Sequence, residues 1–155
     1  MNNPNENLAA LGLELPVPAA PLAAYVPVSR TGKLIFVSGQ LSMDAQGIIK
    51  GTLGLDMDVE QAQIAARSAA LGVLAQIVHT ANVPLSEISR VVKLSIFVAS
   101  APDFFEHHLV ANGASELLAN VLGDRGKHAR AAFGVAALPM GAAIEVEAVV
   151  EVMSD

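Results

Sequence analysis

Cysteine is absent from the 155 residues, which excludes disulfides, thiolate nucleophiles and cysteine-ligated zinc or iron–sulfur centres. Tryptophan is absent too, and one Tyr and five Phe are the whole aromatic content, too little for a platform on which nucleic-acid bases stack. Basic charge is scarce. Nine Lys plus Arg stand against fifteen Asp plus Glu, a net charge of −6, and no basic stripe of a nucleic-acid binder is visible. No apolar run approaches the roughly 18 residues that a membrane span needs, because Asp, Glu, Arg, Gln or His interrupts each candidate. Residues 1–6 are polar, without the charged-then-apolar order of a secretory signal. The expectation is a cytoplasmic protein with neither a membrane nor a nucleic-acid partner.

What is present is apolar. Hydrophobic residues make up 53 % and charged residues 15 %, against about 25 % charged in a typical soluble domain, and the mean hydropathy is +0.50. One domain of this length buries a core without staples. The surplus points to a subunit interface, hence a homo-oligomer.

Residues 1–20 read as an N-terminal arm packed down through Leu8, Leu11, Leu13 and Leu15, and residues 21–155 as the domain proper. Tyr25 to Ser29 and Leu34 to Leu41 read as two strands of a hairpin around Arg30-Thr31-Gly32-Lys33. Gly47 and Gly51 mark a loop. From about Asp58 to Asn82, Ala62, Ala66, Ala69, Val73 and Ile77 recur at helical spacing. Val91 to Val98 alternates as a strand, with Val92, Leu94, Ile96 and Val98 on its buried face. Pro102-Asp103 opens a second predicted helix running to Leu122, with a break at Asn112-Gly113. Two strands, 130–138 and 144–152, follow around Pro139-Met140-Gly141. The fold class is α+β: a ββαβαβ order or close variant, one mixed sheet with two helices on one face.

Strand 130–138 carries a guanidinium on a face otherwise made of Ala132, Gly134 and Ala136. Arg130 is either a carboxylate clamp, whose planar fork donates two parallel hydrogen bonds, or an ordinary strand-end ion pair. Glu145, Glu147 and Glu151 share one face of the last strand. They form a solvated side, or one of them, nearest Arg130 on an adjacent strand, is a general base that polarises water. Gly39 within Ser38-Gly39-Gln40 marks a bulge or a close approach by ligand or backbone. Tyr25 is a pocket wall or half-buried packing. His79, His107, His108 and His128 do not have metal-ligand spacing, and there is neither a nucleophile elbow nor a phosphate-cradling glycine loop.

Four segments together resemble the RidA/YjgF family (reactive-intermediate deaminases, also called endoribonuclease L-PSP): LIFVSGQLSMD (34–44), AARSAALGVLAQIV (65–78), VVKLSIFVASAPDF (91–104) and HARAAFGVAALPMGAAIEVEAVVEV (128–152). The resemblance spans about Leu11 to Val152, with VANGASELL (110–118) and the N-terminal extension marking a longer branch. It implies a chorismate-mutase-like fold assembled as a homotrimer, with sheets inside, helices outside and a pocket at each subunit interface. It further implies that Arg130 binds a substrate carboxylate and Glu145 positions water, with Tyr25, Ser38, Gly39 and Asn112 in the pocket. Ala132 stands where many relatives carry Cys, Ser or Thr, and His128 where the motif generally has Pro or Ala.

The activity so implied is hydrolytic deamination of 2-imino or enamine acids to 2-oxo acids and ammonia, with no metal or organic cofactor. A non-catalytic binder or sensor of small carboxylate metabolites is the alternative. Endoribonuclease activity, the third reading, is opposed by the acidic charge and scarce aromatics.

Overall fold

The computed structural model describes residues 3–18, 20–21 and 23–155. Its centre is a five-stranded sheet. Strands β1 (Val28–Thr31) and β2 (Leu34–Leu41) form a hairpin; β5 (Ile88–Ala99), β6 (Ala129–Val135) and β7 (Ile144–Val152) complete the sheet in the order β1-β2-β7-β5-β6. A two-stranded ribbon, β3 (Met43–Asp44) with β4 (Gly47–Ile48), leads into the predicted loop, overlapping it at Gly47 and Ile48. Helices α2 (Val59–Ala75) and α3 (His107–Leu122) cover one face of the sheet, and a short α1 (Pro4–Ala10) packs its Leu8 into the same core. The expected α+β architecture is therefore found, and no described helix is long and apolar enough to cross a membrane.

The elements follow from local chemistry. Asp58 caps α2 by accepting from the Gln61 N–H at 2.8 Å, while the Gln61 side chain accepts from the Asp58 N–H at 3.0 Å, a reciprocal box that satisfies two otherwise orphaned donors. The buried stripe of α2 is mostly alanine (Ala62, Ala65, Ala66, Ala69 and Ala70), so its backbone lies close to its neighbours. Its last turn widens into a π turn, Gln76–Thr80.

Several sequence expectations are corrected. Instead of breaking at Asn112-Gly113, α3 runs through it: a Cβ on Gly113 would collide with the Gln63 carbonyl, so this glycine is where α2 and α3 cross. That helix also begins at His107, five residues after Pro102, because Pro102-Asp103 forms a turn closed by Phe104 N–H donating to Ala101 O at 3.1 Å. Strand β1 starts at Val28, leaving Tyr25 outside it. Pro27 has no N–H for the ladder, and its carbonyl accepts from Ser38 N–H at 2.9 Å. Pairing of Thr31 with Leu34 narrows the predicted turn to Gly32-Lys33. Bulges in β5 shift its alternation, so Val91 at 2 % exposure enters the core and Val92 does not. Finally β6 stops at Val135 and pairs parallel with β5. The last two strands, expected to be adjacent, have β5 between them.

Candidate functional site

The predicted site residues fall into two groups on opposite faces of the sheet. Arg130 pairs across the ladder with Leu94, which pairs with Ala148; Phe133 pairs with Phe97, which pairs with Glu145. Positions 130 and 133, like 148 and 145, are an odd number of residues apart and so face opposite ways. Two strand spacings and three residues of rise put the Arg130 and Glu145 Cα atoms roughly 14 Å apart.

The first group lies on the face that no helix covers. The register of β2 against β7 slips between Val37 and Gln40, so Ser38 and Gly39 form a bulge. Both readings of Gly39 hold, because a Cβ there would strike Oε1 of Glu145, whose carboxylate lies against the bulge. Half-burial, and after it the charge of Glu147, raises the Glu145 carboxyl above the ordinary 4.5. Ser38 Oγ donates to Val26 O at 2.7 Å, tying the bulge to the segment that carries Tyr25. A cavity of about 450 Å³ is lined by Tyr25, Ser38, Lys93, Ser95 and Glu147, and a second of about 730 Å³ by Tyr25, Gly39, Gln40, Ser68 and Gln76. Tyr25 thus stands between the two.

The bulge is braced from behind. Thr80 Oγ1 donates to Gln76 Oε1 at 2.6 Å, Gln76 Nε2 to Gln40 Oε1 at 3.3 Å, and Gln40 Nε2 to Ser38 O at 2.9 Å. Gln40 and Gln76 are buried, where unpaired amides would cost about 1–3 kcal/mol each. The π turn brings Thr80 to Gln76; such turns gather at functional sites.

The second group sits on the edge strand β6 and α3. Arg130 Nη1 donates to Asn112 Oδ1 at 2.9 Å and to Ser115 Oγ at 3.2 Å, and Nη2 donates to His108 O at 3.2 Å. No acidic partner holds it, so the ion-pair reading of Arg130 fails among the described residues. A guanidinium has five N–H donors. Nε–H and one Nη2–H are left without a partner among the described residues, available to a carboxylate. Ala132, two residues on, packs its methyl against the core.

The structure thus joins Arg130 to Asn112, Glu145 to Gly39, and Ser38 to the segment that carries Tyr25, but does not join Arg130 and Glu145 within one chain. Sequence reasoning missed Ser115 and the buried glutamines. The spacing 108, 112, 115 places three residues on one face of a helix, and Gln40 and Gln76 interrupt apolar runs; both patterns were available as signals.

Residues 5–152 match the family model described as "YjgF/chorismate mutase-like, putative endoribonuclease". Protein TCP17 of Trypanosoma cruzi is 48 % identical over 147 residues, covering 94 % of this chain and 91 % of that protein. The crystal structure of Atu1372 from Agrobacterium tumefaciens, a protein of unknown function, superposes with a TM-score of 0.90 at 49 % identity, covering 96 % of this chain and 92 % of that one. A Shewanella oneidensis structure described as a "putative endoribonuclease" gives a TM-score of 0.92 at 33 % identity, covering 97 % of this chain and all of that one (100 %).

Proposed function

The chain belongs to the YjgF/RidA family, and from that premise we propose that it hydrolyses small 2-imino or enamine carboxylic acids to 2-oxo acids and ammonia. The observation that carries this reading is the Arg130 guanidinium, held by three hydrogen bonds with two N–H donors unused among the described residues. A carboxylate on that fork fixes the neighbouring C=N carbon. Water adds to this carbon as its proton passes to Glu145 and the C=N electron pair moves to nitrogen. Glu145 then returns the proton to nitrogen, giving a carbinolamine; the carbinolamine's hydroxyl proton passes through Glu145 to nitrogen as the C–N bond breaks, the carbonyl forms and ammonia leaves. Such imines already hydrolyse in water, so positioning and one base suffice. No step needs a cofactor.

Arg130 and Glu145 cannot serve one small substrate from opposite faces of the same sheet. The pocket we infer is therefore shared between copies, Arg130 from one and Glu145 with Tyr25 and Ser38 from the next, in a homotrimer. The uncovered sheet face supports this. It exposes Phe36 at 45 % and Phe133 at 47 %, apolar surface of the kind that subunits bury.

The test is ammonia release from 2-iminopropanoate and 2-iminobutanoate generated in situ, comparing wild type with Arg130→Ala and Glu145→Gln. Acceleration lost in both variants supports the reading; full acceleration by Arg130→Ala removes it. A second reading, carboxylate binding without turnover, is favoured by the Ala132 methyl where a polar pocket side chain would assist chemistry. Stabilisation by 2-oxo acids with no ammonia release would select it.

A further inference from the structure

Behind Arg130 stands a polar chain that the reaction does not use. His128 Nδ1 lies 2.6 Å from Gly126 O, and its Nε2 lies 2.9 Å from Ser115 Oγ. A carbonyl only accepts, so Nδ1 carries the proton and the neutral ring presents Nε2 as an acceptor. The Ser115 hydroxyl therefore donates to His128. Its oxygen lone pairs are left facing Arg130 Nη1, which donates to them at 3.2 Å. Direction is thus set along the whole chain, from the Gly126 carbonyl through the ring and the hydroxyl to the guanidinium. Burial, the largest influence on the ring, favours its neutral form and outweighs the Gly126 hydrogen bond, which favours the charged one; the nearby Arg130 charge acts with burial.

From this geometry we propose that Ser115 and His128 are positioning residues for carboxylate recognition, holding the Arg130 fork at the angle that receives the ligand. Arg130 lies on an exposed edge strand, and a free arginine side chain loses rotamer entropy when it is fixed. Asn112 and the His108 carbonyl fix the guanidinium at two points. Ser115 supplies the third, which stops rotation about the line joining them. Alanine at 115 removes that point. An apolar ring at 128 leaves the hydroxyl free to turn its proton toward Arg130, which repels the guanidinium. The role belongs to carboxylate binding, not to the chemical step, so its loss raises KM and leaves kcat in place.

This inference rests on Arg130 as the carboxylate clamp, so that reading is tested alongside it. Binding of 2-oxobutanoate to the intact oligomer is measured by calorimetry for wild type, Arg130→Ala, Ser115→Ala, Ser115→Thr, His128→Phe and His128→Gln. KM and kcat for 2-iminobutanoate follow, and thermal melts show that each variant folds. Wild-type binding that survives in Arg130→Ala overturns the clamp itself. With the clamp upheld, Ser115→Ala and His128→Phe are expected to weaken binding and raise KM about tenfold, the size of one hydrogen bond to a charged group, with kcat within about twofold. Ser115→Thr, which keeps the hydroxyl, and His128→Gln, which keeps an acceptor, are expected to restore most of it. Unchanged affinity in folded Ser115→Ala and His128→Phe overturns the positioning role, as does a fall in kcat at constant KM.

Discussion

Arg130 and Glu145 belong to one sheet, yet project from its opposite faces, with β5 between their strands. In the pocket proposed above each residue is half of a site, and mixing tests that division.

Arg130→Ala and Glu145→Gln chains, each inactive alone, are expected to regain activity when refolded together. At equal mixing, a pocket built from two neighbouring copies draws both intact halves in about one quarter of cases, so activity should return to about one quarter of wild type. Ammonia release from the mixture measures it. No recovery in properly assembled mixed oligomers would place both residues' roles within a single chain.

Gly39→Ala is expected to push the Glu145 carboxylate off the bulge, because the new methyl would occupy the position of Oε1. Overpacking of this kind costs about 1–3 kcal/mol. The signature is a fall in kcat larger than the fall in melting temperature would explain, with carboxylate binding through Arg130 kept.

Burial, then Glu147, raises the Glu145 carboxyl above 4.5. A group whose value rises on folding holds its proton more tightly in the folded chain. Its stabilising contribution is full below pH 4.5 and is lost as pH climbs through the folded value. Glu145→Gln is therefore expected to melt above wild type at neutral pH, the difference closing on acidification. Equal melting temperatures at neutral pH would mean that the ionised form carries no penalty.

Catalysis by the ionised carboxylate places the acid limb of kcat/KM above the ordinary glutamate range. Glu147→Gln removes the second cause of the upward shift, so the limb is expected to move to lower pH. A limb that stays in place would assign it to another group.

Gln76→Leu is expected to leave the buried Gln40 Oε1 without its Gln76 donor and to cost about 1–3 kcal/mol. Denaturant titration measures the loss. A neutral result would show that the bulge at Ser38-Gly39 holds without its brace.

Much of this was legible beforehand. The alternation of Ile144 to Val152 gave a strand with the observed ends, and the alanine spacing gave α2. The faces of strand 129–135 were readable, since period two fixes them. Neighbours in the sheet were not. A tight turn at Pro139-Met140-Gly141 suggests a hairpin, but α3 carries the chain across so that β6 pairs with β5. Gly113 reads locally as a helix breaker, because the Gln63 carbonyl that needs its missing Cβ is 50 residues away in sequence. Arg130 and Glu145 are 15 residues apart along the chain, and only pairing shows that they turn their backs on one another.

The small-residue edge strand has a practical consequence. Ala132, Ser115 and His128 meet Arg130 or its surroundings on the helix side, while the Gly39 bulge and its glutamine brace lie three strands away. On the proposed function, the ligand grip can be rewritten at 115, 128 and 132 while the Glu145 end of the pocket stays as it stands. Affinity and turnover become two dials instead of one.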